Sequence, residues 1–185
     1  MSQLRHDSSH NDRQSQNKLH PIRVNKSGHI HFVTTSCIGY KPFFSKSWTR
    51  QIIMDSIDEI RAQNGFKIIG YVLMPEHSHF LIIPDSDQSI SQAMGCLKWY
   101  TAIRLLKVLR DKGMDENSLW QSRFYDFNIF TLNKLHEKLN YCHMNPVKRG
   151  LVEYPKDWEH SSYRNYEMDD DSIFRVNRWW DYWKI

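Results

Sequence analysis

Runs of alternating and helically spaced apolar residues divide the chain into an ordered series of elements. His29 to Cys37 is rich in β-branched and aromatic residues and is followed by Gly39, Pro42 and Ser45, which predicts a strand and then a loop. From Trp48 to Asn64 the isoleucines 52, 53, 57 and 60 recur at helical spacing, and Gly65 stands where a left-handed cap ends a helix. Phe66 to Met74 and His77 to Pro84 are two β-rich runs separated by Pro75 and Glu76, the pattern of an antiparallel hairpin. Ile90, Met94, Leu97, Thr101, Leu105 and Val108 form one face of a long second helix, broken after Asp111. Arg123 to Phe130 predicts a fourth strand, and Leu132, Leu135, Leu139 and Cys142 give the stripe of a third helix stopped at Pro146.

Strand, helix, strand, strand, helix, strand is the split βαββαβ, or ferredoxin-like, plan of the α+β class. Its antiparallel sheet carries two helices on one face. The additional C-terminal helix, or a ligand, is then left to cover the other face. Residues 1–20 hold only Leu4 and Leu19 as large apolar side chains, which predicts a disordered N-terminal arm. The folded domain is expected over residues 21–166, followed by an acidic, tryptophan-rich tail over 167–185.

Composition narrows the function. The 185 residues carry 25 Lys and Arg against 21 Asp and Glu. Four of those acids, Glu167, Asp169, Asp170 and Asp171, sit together near the end, so the rest of the chain is the more basic for it. A basic body suits a polyanionic partner. No apolar run approaches the roughly 20 residues of a membrane helix, and the N-terminus is polar, which predicts a cytoplasmic protein without a membrane partner. Cys37, Cys96 and Cys142 are far apart and form no Cys-x-x-Cys pair, so they are read as reduced thiols.

His77 and His79 lie two apart on a predicted strand, so both imidazoles share one face while Ser78 points to the other. Such a pair is either a polar strand start or half of a metal site. His29-Ile30-His31 is an equally spaced pair that nothing nearby completes. If the third helix runs on through the Asn-Pro step, Tyr141 and Asn145 stack one turn apart. On a helical wheel Tyr141, Lys134, Asn145 and Lys138 fall between about 240 and 300°, away from the leucine stripe near about 20°. A phenol, an amide and two ammonium groups thus share a flank, which is either a solvated helix side or a reactive one. A tyrosine of free pKa ~10 becomes a useful nucleophile only where a metal or cations polarise the electrophile. Two histidines and an amide oxygen can hold a divalent ion and leave positions open for phosphate oxygens. Phosphoryl transfer through a phosphotyrosine needs both parts.

At these residues the chain resembles the REP-associated tyrosine transposases, an IS200-like branch of the single-tyrosine transposases in the HUH endonuclease superfamily. Tyr71 to Ile82, containing Met74-Pro75-Glu76-His77-Ser78-His79, resembles the family's hairpin ending in the histidine pair. Leu119-Trp120-Gln121 with Phe124 resembles its tryptophan-bearing fourth strand. Tyr141 with Asn145-Pro146-Val147-Lys148-Arg149-Gly150 resembles its nucleophile block, and Trp158 with Ser161, Ser162 and Tyr163 its closing segment. The position between the histidines is usually hydrophobic and is Ser78 here.

The resemblance implies a sequence- and structure-specific endonuclease and strand transferase. It would nick and rejoin single-stranded, hairpin-forming DNA of the REP palindrome type with Mg²⁺ or Mn²⁺ and no organic cofactor. It further implies Tyr141 as the nucleophile and His77, His79 and Asn145 as metal ligands. A monomer is expected, although relatives with a swapped tyrosine act as dimers, and the location implied is the nucleoid. Lys98, Arg104, Lys107, Arg110, Arg123, Lys134, Lys138, Lys148 and Arg149 are the candidate phosphate contacts. Two other readings fit parts of the pattern. One is a non-catalytic single-stranded nucleic-acid-binding module on an RNA-recognition-like sheet, the other a small hydrolase in which the histidines activate water.

Overall fold

In a computed structural model, residues 29–183 are described; the predicted arm over 1–20 lies outside them. The chain forms β1 (Ile30–Ser36), α1 (Ser47–Asn64), β2 (Lys67–Leu73), β3 (His77–Ile83), α2 (Ile90–Asp111), β4 (Tyr125–Ile129), α3 (Leu132–Lys148) and a short α4 (Tyr163–Glu167), with three single 3-10 turns. The strands make one sheet in the order β2-β3-β1-β4, every pair antiparallel. This is the predicted ferredoxin-like arrangement. Among the described residues no helix is long and apolar enough to cross a membrane.

Alternation along the strands makes two cores. Val33, Phe80 and Ile82 face α1 and α2, whose Ile53, Ile57, Met94 and Leu97 complete the larger cluster. Phe32, Val72, Leu81 and Ile83 face the other way, against Leu135, Leu139 and Cys142 of α3. Each large aliphatic side chain buried there contributes roughly 1.5 to 3 kcal/mol. The histidines of β3 share the parity of Leu81 and Ile83, so the sheet itself turns them towards α3. Ser78 is fully buried on the opposite face. All three cysteines are free thiols.

Leu139 of α3 packs directly over Gly70 of β2. A Cβ placed on Gly70 would sit 2.6 Å from Leu139 Cδ2 and 3.3 Å from Leu81 Cδ1, so any larger residue would force the Leu139 side chain to shift. The α3 helix also departs from expectation at its end. It passes through Pro146 and closes at Lys148 rather than stopping before the proline. The proline nitrogen cannot donate the hydrogen bond that its position would otherwise make, and two residues follow it in the helix. Asn145 and Pro146 are both buried, so tertiary packing outweighs the local preference against a helical residue before proline.

The packed body extends beyond Tyr166, where the sequence placed its end. Phe174 and Val176 are buried in the larger core, with Phe174 edge-on to Tyr71 at 5.4 Å. Three acids of this segment, Asp169, Asp170 and Asp171, have arginine partners nearby. Arg164 holds Asp170, and Arg178 lies 3.2 Å from Asp169 and 3.5 Å from Asp171. The segment also closes the outer edge of β2. Ser162 N–H donates to Tyr71 O, Leu73 N–H to His160 O and Asn177 N–H to Ile68 O, while Asn177 Oδ1 accepts from Ile68 N–H. Trp120 stands ahead of β4 rather than on it: its backbone bridges Cys37 and its indole donates to Thr101 Oγ1 at 3.0 Å.

Two outcomes follow from this packing. Gly70→Val should destabilise the fold by about 1 to 3 kcal/mol through overpacking against Leu139, read as a lowered urea midpoint. His160 is buried, and its Nδ1 accepts from Arg50 Nε at 3.2 Å. Burial first, and the Arg50 charge second, push its pKa down to about 4. The unfolded imidazole, near ~6.5, binds its proton first, so stability is complete above that pH and is lost as pH falls towards about 4. The urea midpoint should therefore drop between pH 7 and about 4.5, and less steeply in His160→Gln.

Candidate active site

Two strands and one helix assemble the site. The turn after β2 is closed by Met74 N–H donating to His77 O at 2.9 Å, which starts β3 at His77. Antiparallel register then sets Thr34 of β1 directly beside His79. Across this face α3 presents Lys138, Tyr141 and Asn145.

Three donor groups converge. His77 Nε2 lies 3.2 Å from His79 Nε2, and the Asn145 side-chain amide lies 3.1 Å from the same His79 nitrogen. The other nitrogen of each ring is held from behind. Glu76 Oε1 is 3.1 Å from His77 Nδ1 and, being a carboxylate, can only accept; Thr34 Oγ1 is 2.8 Å from His79 Nδ1 and is placed to accept as well. With both protons on Nδ1, two Nε2 lone pairs face each other, a repulsion that a shared proton or a shared cation relieves. Burial disfavours the proton. It lowers the His77 pKa, with Glu76 opposing, and pushes His79 down to about 3, assisted by the neighbouring His77 and Lys138 charges.

The donor spacing fits a small divalent ion. An octahedral shell with bonds of about 2.1 Å separates adjacent donors by roughly 3 Å. Rotating the Asn145 amide by 180° exchanges its nitrogen and oxygen, so its oxygen reaches the position observed for nitrogen. His77, His79 and Asn145 therefore suit one ion, with Glu76 and Thr34 fixing the ring tautomers.

Tyr141 stands at the mouth of this cluster. Its ring is 5.1 Å from the His79 ring and 5.8 Å from that of Phe32, edge-on to both, and the residue is 39% exposed, enough for a substrate to reach it. Phe32 in turn stacks on His79 at 5.4 Å. Two ammonium groups border the phenol: Lys138 Nζ is 5.9 Å and Lys148 Nζ 5.7 Å from the ring centre. Lys138 also lies over Phe32 and Phe127, at 5.1 and 5.4 Å. Arg149 is tied in through Glu76, at 2.9 Å.

The remaining basic candidates lie elsewhere. Lys98, Arg104, Lys107 and Arg110 are on α2, which packs on the opposite face of the sheet. Lys98 donates to the carbonyls of Gln121 and Ser122, and Arg104 pairs with Glu59. Arg123 is exposed ahead of β4, and Lys134 pairs with Glu137 near the start of α3. The control pair separates as well: His31 is buried on the α1 and α2 side against Asp126 at 2.8 Å. His143, on the far flank of α3, meets Ser162 Oγ at 3.0 Å.

Sequence reasoning missed Thr34, Glu76 and Phe32. Glu76 is legible as the residue beside His77. Thr34 and Phe32 emerge only once the β1–β3 register is known.

Comparison with known proteins gives the family of the chain. The family model described as "Transposase IS200 like" matches residues 24–143. A Haemophilus influenzae protein provisionally named a REP-associated tyrosine transposase is 30% identical over 128 residues, 62% of this chain and 73% of that one. The REP-associated tyrosine transposase of Escherichia coli is 26% identical over 114 residues, covering 61% of this chain and 64% of its own. A REP-associated tyrosine transposase solved bound to a REP hairpin superposes with a TM-score of 0.65 at 22% identity, over 84% of this chain and 89% of that one, and so shares its fold. The chain belongs to the IS200-like transposase family, as a REP-associated tyrosine transposase.

The backing groups give a test of whether this cluster takes an ion. Thr34→Val and Glu76→Gln should each weaken Mn²⁺ binding about 10- to 100-fold by calorimetry, with the circular dichroism spectrum unchanged.

Proposed function

We propose that this chain is a sequence- and structure-specific nuclease and strand transferase for single-stranded DNA. It would act at hairpins of the REP palindrome type through a 5′-phosphotyrosine. The observation that carries this reading is the meeting of two neutral imidazoles and one amide within 3.2 Å, with the accessible Tyr141 ring 5.1 Å from that of His79. A module that only binds nucleic acid has no use for that cluster. The hairpin-bound structural relative and the curated relatives named as tyrosine transposases support the DNA substrate.

In this reading the Tyr141 oxygen attacks the scissile phosphorus. A phosphorus–oxygen bond forms to the phenol, which gives up its proton, as the bond to the departing 3′ oxygen breaks, and that oxygen takes up a proton to become a free 3′-hydroxyl. Mg²⁺ or Mn²⁺ held by His77, His79 and Asn145 would supply Lewis-acid polarisation of the phosphate. Lys138 and Lys148 favour negative charge beside the phenol, and Arg149 lies close enough to orient the strand. Attack by a second strand's 3′-hydroxyl on the phosphotyrosine then restores a phosphodiester and frees Tyr141. Each step exchanges one phosphate ester for another, so rejoining needs no external energy. Both halves of the site come from one chain, which supports action as a monomer.

Incubation with hairpin oligonucleotides from the genome of origin and Mn²⁺ should give a denaturant-resistant protein–DNA adduct. Tyr141→Phe should abolish that adduct, and His79→Ala should lower it by at least about 100-fold. An undiminished adduct in Tyr141→Phe removes the nucleophile. Multiple turnover without any adduct selects a hydrolase in its place.

A further inference from the structure

An exposed aromatic residue outside the cluster completes a path for the strand. Tyr125 opens β4, the strand at the edge of the sheet opposite β2. Its parity matches Phe127 and Ile129, so its ring is on the face shared with His77, His79 and α3. In register it lies opposite Thr34, the residue behind His79. Its ring is 6.5 Å from Phe32, edge-on, and Phe32 touches both His79 and Tyr141. Tyr125 is thus one ring removed from the nucleophile, yet 56% exposed.

A half-exposed tyrosine on a strand needs no special explanation by itself. Here three further features coincide. The ring packs on Phe32, which itself packs on Tyr141, it lies on the sheet edge where among the described residues no strand pairs, and the ammonium groups of Lys138 and Lys148 stand beside the Tyr141 ring. A phosphate strand drawn to those cations must put its bases to one side. Unpaired bases are flat and apolar on both faces, and an exposed ring beside bound phosphates is the surface on which proteins stack them.

Building on the reading of this protein as a single-stranded DNA transferase, we propose that Tyr125 is a stacking platform for an unpaired base flanking the scissile phosphate. It acts as a positioning residue: the stacked base fixes the strand so that the phosphate meets Tyr141. Stacking accepts any base, so Tyr125 sets alignment and leaves sequence choice to other contacts.

The test uses the Tyr141→Phe protein, which binds without cutting, and a hairpin oligonucleotide whose single-stranded flank carries 2-aminopurine at successive positions. Binding should quench the fluorophore at one or two positions next to the cleavage point. Adding Tyr125→Ala should abolish that quench and weaken binding about 10- to 100-fold, whereas Tyr125→Trp should retain both. Trp99 on α2 provides the control, being 62% exposed on the opposite layer; Trp99→Ala should leave the quench and the affinity as they were. Unchanged quench and affinity in Tyr125→Ala overturn the proposal, as do equal losses in Trp99→Ala. Failure of the Tyr141→Phe parent to bind the oligonucleotide at all would overturn the DNA reading itself, a result distinct from either.

Discussion

The contact between α3 and the sheet at Gly70 is the constraint on which the rest depends. The chemistry is divided between distant parts of the chain, with imidazoles on a hairpin and a phenol and an amide on a helix more than sixty residues later. A side chain at position 70 would press on Leu139 of α3, and even one ångström of displacement matters to groups whose donors sit 3.1 to 3.2 Å apart. The persistence of α3 through Pro146 serves the same end. Asn145 reaches His79 because the helix continues past the position at which local preference would end it.

Within that frame the site is dry behind and open in front. Glu76 and Thr34 occupy the inner nitrogens, burial keeps the rings uncharged, and the outer nitrogens are left to face a ligand. Positive charge is kept one layer out, on Lys138 and Lys148. Lys138 rests on the faces of Phe32, Phe127 and Tyr141, whose ring quadrupoles favour an ammonium, and lies 3.4 Å from the Glu137 carboxylate at the rim. The cluster therefore sets uncharged donors beside the ammonium groups of Lys138 and Lys148.

Much of this was legible in the sequence. Period-two and period-3.6 patterns located every strand and the three long helices within a few residues, because each element has one face in a core. The His77 and His79 pair and the Tyr141 to Asn145 turn were visible as shared faces. Three features were not. The passage of α3 through Pro146 depends on burial of Asn145 and Pro146, which no local rule contains. The docking of Phe174 and Val176 was hidden by the acids around them, whose partners Arg164 and Arg178 are close in sequence but recognisable only in the fold. The bases of α2 were read as candidate phosphate contacts because charge alone carries no information about which side of a sheet a helix covers.

The closing of the β2 edge has a consequence for how copies of this protein meet. An open strand invites another molecule to extend the sheet, the usual first step towards fibrous aggregates. On this side the invitation is withdrawn by the chain itself, since His160, Ser162 and Asn177 already occupy the outward amides and carbonyls of Ile68, Tyr71 and Leu73. The C-terminal segment is thus a built-in guard against self-association, and its acidic, arginine-paired surface gives a neighbouring strand nothing to join.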